Sequence, residues 1–490
     1  MGMWNMIRKK SSVRGGRRAE EAFLCRYPAY SGTAVLDRLR GTEYRHLDAE
    51  DHCYLDYTGS GLVADAQLRA QLTRLRSSVY GNPHSDSPSS TRSTALVEAV
   101  RDDVLRFFRA DPDEYVVIFT SNATGACRLV GEAFPFGPAG RLLLTQDNHN
   151  SVVGIREYAR NRGAALGLVH LNGPEMRIPD EAVLTALDRE RTGPRLFAYP
   201  AQSNFTGVQH PLDWVEQAQR LGWRVLLDAA AFAPTNTLDL SVHKPDFVPV
   251  SWYKVFGYPT GVGALVARRD AVDELIRPWF SGGTIWGASA LGDWHRLDPA
   301  PGAFEDGTLN FLQLPDVSVG LRWISRIGMD TIHTRVRCLT GWLLDALGEL
   351  RHGNGAPMVR VYGPRTTEGR GGTIAFNFLT PDGELVDERL VSRESAAAGI
   401  SLRTGCFCNP GAGEAALSLG VNQLATPTEA TMSTLDDYLD AMGVPNGGGV
   451  RVSLGLASTF ADVRRFVDWS VSTYRDRVPD RAGLPPRLHC

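Results

Sequence analysis

Two segments of the sequence set a carboxylate and an amine at the ends of apolar runs. Leu226-Leu227-Asp228-Ala229-Ala230 closes a buried-strand pattern on Asp228, and Ser251-Trp252-Tyr253-Lys254 puts Lys254 just after another such run. Alone, a strand-ending aspartate caps or closes a loop and a single lysine is a surface charge. Together they are the pair that a pyridoxal 5'-phosphate (PLP) site usually carries. The amine holds the aldehyde, and the carboxylate keeps the pyridine nitrogen protonated so that the ring can take up electrons. Thr120-Ser121-Asn122-Ala123-Thr124-Gly125 and Gly307-Thr308 have the composition of phosphate cradles, in which small residues let helix N-terminal amides approach an anion. Many strand-to-helix turns look like the first, and an isolated Gly-Thr is more often structural.

His149 follows an apolar run, where an imidazole could stack on a planar cofactor, move protons or merely cap a helix. Asn204, in Gln202-Ser203-Asn204-Phe205-Thr206-Gly207, is either a hydrogen-bond partner for a phenolic oxygen or a turn residue before Gly207. Arg403-Thr404-Gly405-Cys406-Phe407-Cys408-Asn409-Pro410-Gly411 sets two thiols in a glycine-flanked loop near a cation, which favours a nucleophilic thiolate; a buried inert cysteine is the alternative. Arg451 lies inside an apolar strand pattern, where its planar fork needs a carboxylate, and a substrate carboxylate would serve.

These groups need a scaffold that brings strand ends together. Between about residues 115 and 270, β-rich runs at 116–119, 141–144, 196–199, 225–227, 247–250 and 263–267 alternate with helical stretches such as 151–163 and 212–221. That alternation predicts an α/β domain with a mainly parallel sheet, with ligands at the strand carboxyl ends. A long helix is predicted over 314–352, then a smaller α+β domain with a strand at 372–378 and a helix at 460–476, capped by Thr459 and Asp462. The expected layout is a disordered basic tail over 1–20, a segment joining the small domain over 21–60, a large domain over 61–330, a small domain over 331–478 and a tail over 479–490. Residues 409–448, rich in Gly, Ala, Pro and Thr, read as an insertion or mobile lid.

A chain of 490 residues with 43% hydrophobic and 22% charged residues and a net charge of -3 is ordinary globular protein, with no signature of a nucleic-acid partner. It has no apolar run of about 18 residues and no apolar core near its start, so no membrane span or secretory signal is expected, and the location expected is the cytosol. The seven cysteines lack a disulfide-scaffold spacing, so reduced thiols are expected, and a single Cys-x-Cys does not make a metal site.

Taken in order, these segments and Tyr54-Leu55-Asp56-Tyr57 resemble the class V aminotransferase-like PLP enzymes, and within them the cysteine desulfurase domain of molybdenum cofactor sulfurases, over roughly residues 45–475. The resemblance implies a fold type I PLP-dependent transferase and a homodimer. It makes Lys254 the Schiff-base lysine, Asp228 the pyridinium partner and His149 the residue stacked on the ring. Asn122, Ala123, Thr124 and Ser251 would hold the phosphate, with Thr308 arriving from the second subunit. Asn204 would bind near the phenolic oxygen and Arg451 would take the substrate carboxylate. Cys408 would accept sulfur from L-cysteine, in preference to Cys406, because related desulfurases carry their cysteine after an Arg-x-Gly-x-His pattern that falls on Arg403 to Phe407. Two positions depart from the general desulfurases: Ala231 stands where a Gln is common and Tyr253 where a His precedes the lysine. Molybdenum cofactor sulfurases usually continue into a further domain, whereas this sequence ends at Cys490, so the final sulfur acceptor is open. The alternative activity is a carbon-sulfur lyase, or another reaction on an amino acid within PLP chemistry.

Overall fold

The structure, a computed structural model, describes residues 18–83, 85–188, 192–282, 284–424, 434–444, 446–480 and 483–487. Apart from 18–20, the basic tail expected over 1–20 lies outside the described residues, as does 425–433 within the expected lid.

The main sheet has seven strands: β1 (Tyr115–Thr120), β2 (Arg141–Thr145), β3 (Ala165–Val169), β4 (Arg195–Pro200), β5 (Arg224–Asp228), β6 (Phe247–Ser251) and β7 (Gly263–Arg268). Their spatial order is β1-β7-β6-β5-β4-β2-β3. All pairings are parallel except those of β7, which runs antiparallel to β1 and β6. Runs such as Val116-Val117-Ile118-Phe119 and Val225-Leu226-Leu227 are buried along their length, which suits strands covered on both faces. The six expected strands are all present and slightly longer than their apolar runs. The seventh, β3, is an edge strand whose Leu166 and Leu168 are exposed, so the continuous apolar signal of the central strands is missing.

A four-stranded antiparallel sheet lies further along the chain: β8 (Val359–Tyr362), β9 (Thr373–Phe378), β10 (Arg403–Gly405) and β11 (Gly449–Ser453), in the order β8-β9-β11-β10. The chain before the main sheet joins it here. Cys53–Tyr54 pairs in parallel with Ile400–Ser401, and Asp56 bridges to Ser453. The helix Phe460–Tyr474 opens as its sequence predicts, Thr459 and Asp462 capping each other's backbone N–H groups.

Two expected helices are each divided. The long one is Leu314–Ile327 and Met329–Glu349, separated by Gly328 at φ 89°, a left-handed conformation that interrupts the helix. The stretch 151–163 is Asn150–Val153 and Ile155–Asn161, parted at Gly154. Within 409–448 the described chain forms Pro410–Ala416 and Leu435–Ala441, the latter in a local cluster of Leu439, Met442 and Val444. Among the described residues no helix is long and apolar enough to cross a membrane.

Candidate active site

β5 ends on Asp228, whose Oδ1 accepts from the Ala230 N–H at 2.9 Å, so the turn holds the carboxylate in place. β6 ends on Ser251 and passes directly into the helix Trp252–Phe256, which carries Lys254. After β1, Asn122 caps the helix Ala123–Ala133 by accepting from the Gly125 N–H at 2.9 Å. The Ala123 N–H donates to Ser251 Oγ at 2.8 Å, tying this helix N-terminus to the end of β6. The tie needs close packing, because a Cβ on Gly263 of β7 would stand 2.5 Å from Asn122 Cα. His149, after β2, accepts at Nδ1 from the Ser151 N–H at 3.1 Å, and Ser151 Oγ lies 2.7 Å from Thr124 Oγ1.

These elements enclose one cavity of about 110 Å³, lined by Asn122, Ala123, Thr124, His149, Asn204, Asp228, Ser251 and Lys254. Eight of the residues expected from the sequence therefore meet at one place. Thr308 lies outside it, in a neighbouring cleft of about 350 Å³ with Ser121 and Gly125, on a surface-exposed stretch. Cys408 and Arg451 do not line the cavity either, but they are in its field: both act electrostatically on Lys254.

Burial lowers the pKa of the Lys254 amine; Asp228 opposes this, while Arg451 and Arg403 add to it. Burial also pushes His149 down to about 4, helped by Lys254 and Arg451 and resisted by Asp228, so the imidazole is neutral above that pH. A neutral ring beside a buried amine, a fixed carboxylate and a helix N-terminus is a donor set that fits PLP: the amine for the aldehyde, Asp228 for the pyridinium, the helix amides for the phosphate and His149 for the ring face.

The Cys408 loop is bound to this site by hydrogen bonds from both backbone and side chains. Asn150 donates its N–H to Cys408 O at 2.7 Å. Asn204 Nδ2 donates to Phe407 O at 2.8 Å, and Asn204 Oδ1 accepts from Asn409 Nδ2 at 2.8 Å. Asn409 Nδ2 also reaches Asp147 O at 2.7 Å. Both polar atoms of the Asn204 side chain thus serve the cysteine loop. Phe407 and Cys408 have φ of 57° and 53°, a conformation that costs L-residues about 1–3 kcal/mol each and that these contacts maintain. Cys408 is exposed with a free thiol, whereas Cys53, Cys127 and Cys338 are buried, and burial raises their thiol pKa values.

Arg451, 3% exposed on β11, already has a carboxylate partner: Nη2 donates to Asp56 Oδ1 at 3.0 Å. Its Nη1 donates to Asn204 O at 3.0 Å, its guanidinium lies 4.9 Å from the Phe407 ring centroid, and its Nε is buried without a partner among the described residues. Arg403, expected beside the thiol, sends Nε and Nη2 to Asp56 Oδ2 at 3.0 and 2.6 Å. The sequence reading missed Asp56, Asn409 and Gln202. Gln202 lines the cavity and donates to Ala231 O at 3.0 Å, supporting the turn after Asp228 at the residue that departs from the desulfurase pattern. Asn409 was within reach, since Asn before Pro is a helix-start signal; the packing of Gln202 leaves no such trace.

Residues 53–466 match the aminotransferase class-V family, and the chain belongs to that family. It is 37% identical to the molybdenum cofactor sulfurase of Solanum lycopersicum over 96% of this chain and 61% of that protein. It is 36% identical to that of Homo sapiens over 90% of this chain and 52% of that protein. The chain thus spans between half and two thirds of the length of these curated relatives. The fold is that of a cysteine desulfurase from Thermococcus onnurineus NA1, with a TM-score of 0.72 and 23% identity over 89% of this chain and 98% of that one. A cysteine desulfurase from Escherichia coli superposes with a TM-score of 0.67 and 21% identity over 90% of this chain and 99% of that one.

Proposed function

We propose that this protein is a PLP-dependent cysteine desulfurase that takes sulfur from L-cysteine onto Cys408 and releases alanine. The observation that carries the reading is the attachment of an exposed, free thiol loop to the Lys254–Asp228–His149 cavity through Asn150, Asn204 and Asn409. The names of the sequence relatives support it.

In this reading Lys254 would hold the cofactor, with Asp228 for its pyridine nitrogen, His149 for its ring face and Asn204 for its phenolic oxygen. Asn122, Ala123, Thr124 and Ser251 would hold its phosphate, with Thr308 contributed by the second subunit of a homodimer. When bound, PLP supplies an electron sink for negative charge at the substrate α-carbon. Arg451 takes the substrate carboxylate, with its unpartnered Nε as a donor in reserve. The Lys254 amine, its pKa lowered by burial, moves the α-proton. The Cys408 thiolate attacks the substrate sulfur; the carbon–sulfur bond breaks with its electron pair left on carbon, which takes a proton, and Cys408 keeps the sulfur as a persulfide. The persulfide then passes to an acceptor, in the cytosol. The division of labour follows a large cofactor-binding domain over 61–330 and a small domain over 331–478 that carries Cys408 and Arg451.

Incubation of the holoenzyme with L-cysteine tests this directly. Alanine should form with the wild type, and Cys408→Ala should lose alanine formation by a factor on the order of 100 or more. Pyruvate and ammonia in place of alanine would instead establish the carbon-sulfur lyase reading.

A further inference from the structure

Arg403 and Arg451 are direct cross-strand partners on β10 and β11. Two guanidinium groups placed opposite one another repel. Between them stands Asp56, 7% exposed and held from the amino-terminal side by its bridge to Ser453. One carboxylate oxygen serves each arginine, Oδ1 taking Arg451 and Oδ2 taking Arg403. The chain turns tightly over this group: a Cβ on Gly59 would lie 2.5 Å from Asp56 Oδ2 and 2.7 Å from Arg403 Nη2. The carboxylate is therefore fixed, and both arginines are in electrostatic contact with Lys254.

Two cations sharing one anion leave a single net positive charge beside the substrate site. A ligand with one carboxylate balances it; a ligand with two leaves an uncompensated negative charge in partly desolvated surroundings. We infer that Asp56 is a specificity-setting positioning residue, which holds the Arg403–Arg451 pair together and trims its charge to suit amino acids carrying one carboxylate. This inference rests on the reading of the site as one for an amino acid with Arg451 at its carboxylate.

The test measures dissociation constants of the holoenzyme for L-alanine and L-aspartate by calorimetry, so that it does not depend on turnover. Asp56→Asn raises the net charge by one and should shift the aspartate-to-alanine affinity ratio roughly tenfold toward aspartate. Arg403→Gln, at a side chain 51% exposed, lowers the charge and should move the ratio the other way. The double variant Asp56→Asn/Arg403→Gln restores the single charge and should return the ratio to within about threefold of the wild type. A ratio unmoved in the single variants, or one still shifted in the double, overturns the inference and leaves Asp56 a structural residue. Wild-type holoenzyme that binds neither ligand overturns the amino-acid reading and the inference with it; wild type that binds alanine while the variants show no shift overturns the inference alone.

Discussion

His149 connects burial to pH behaviour. Its folded pKa of about 4 lies below the ordinary 6.5, so the unfolded chain takes up a proton on acidification before the folded chain does. The resulting contribution favours unfolding as pH falls from about 6.5 to about 4 and vanishes as pH rises through that window. Urea unfolding of the cofactor-free chain across that range should show stability falling toward acid, with a shallower slope in His149→Gln; equal slopes would remove His149 as a cause. At this scale much of the site was legible, because Asp228 ends one apolar run, Lys254 follows another, and PLP chemistry commonly uses the two as a pair. Partners were not legible. Asp56 sits far from both arginines in sequence, and nothing in the order of residues says that Arg451 meets it first.

The elements explain why the cysteine loop can be strained and still fixed. The helix Pro410–Ala416 packs so closely on the end of β2 that a Cβ on Gly411 would lie 2.0 Å from the backbone oxygen of Gln146. A backbone atom cannot rotate aside as a side chain can, so Gly411→Ala must displace the loop that Cys408 leads into this helix. We expect that variant to keep the visible absorbance of the bound cofactor and to form alanine at least about tenfold more slowly. Loss of both together would instead indicate a general folding defect. The strands were readable wherever burial on both faces made the run continuously apolar. β3 was not, since at the edge of the sheet its burial alternates, and the break at Gly328 was hidden because the apolar spacing continues on both sides of it.

For the whole molecule, both sheets share one continuous hydrophobic core, from Val117 and Leu227 in the main sheet to Phe376 and Val452 in the smaller one. The thiol loop packs through a second cluster, in which Phe407 meets Phe205, Tyr362 and Ala375. Thr308 faces a neighbouring cleft rather than the cavity that the other expected phosphate-binding residues line. If a second subunit completes the phosphate site with its own Thr308, light scattering should give twice the monomer mass for the holoenzyme. Thr308→Val should then weaken cofactor retention without altering that mass. A monomer that retains cofactor fully would contradict the shared site.

The central claim is that sulfur leaves cysteine onto Cys408. Mass spectrometry of the Cys408-containing peptide after a single turnover with L-cysteine tests it most directly. The account predicts one added sulfur atom on Cys408, lost on reduction and formed together with alanine. An unmodified Cys408 in enzyme that has released alanine, or the added sulfur on a different cysteine, would contradict it.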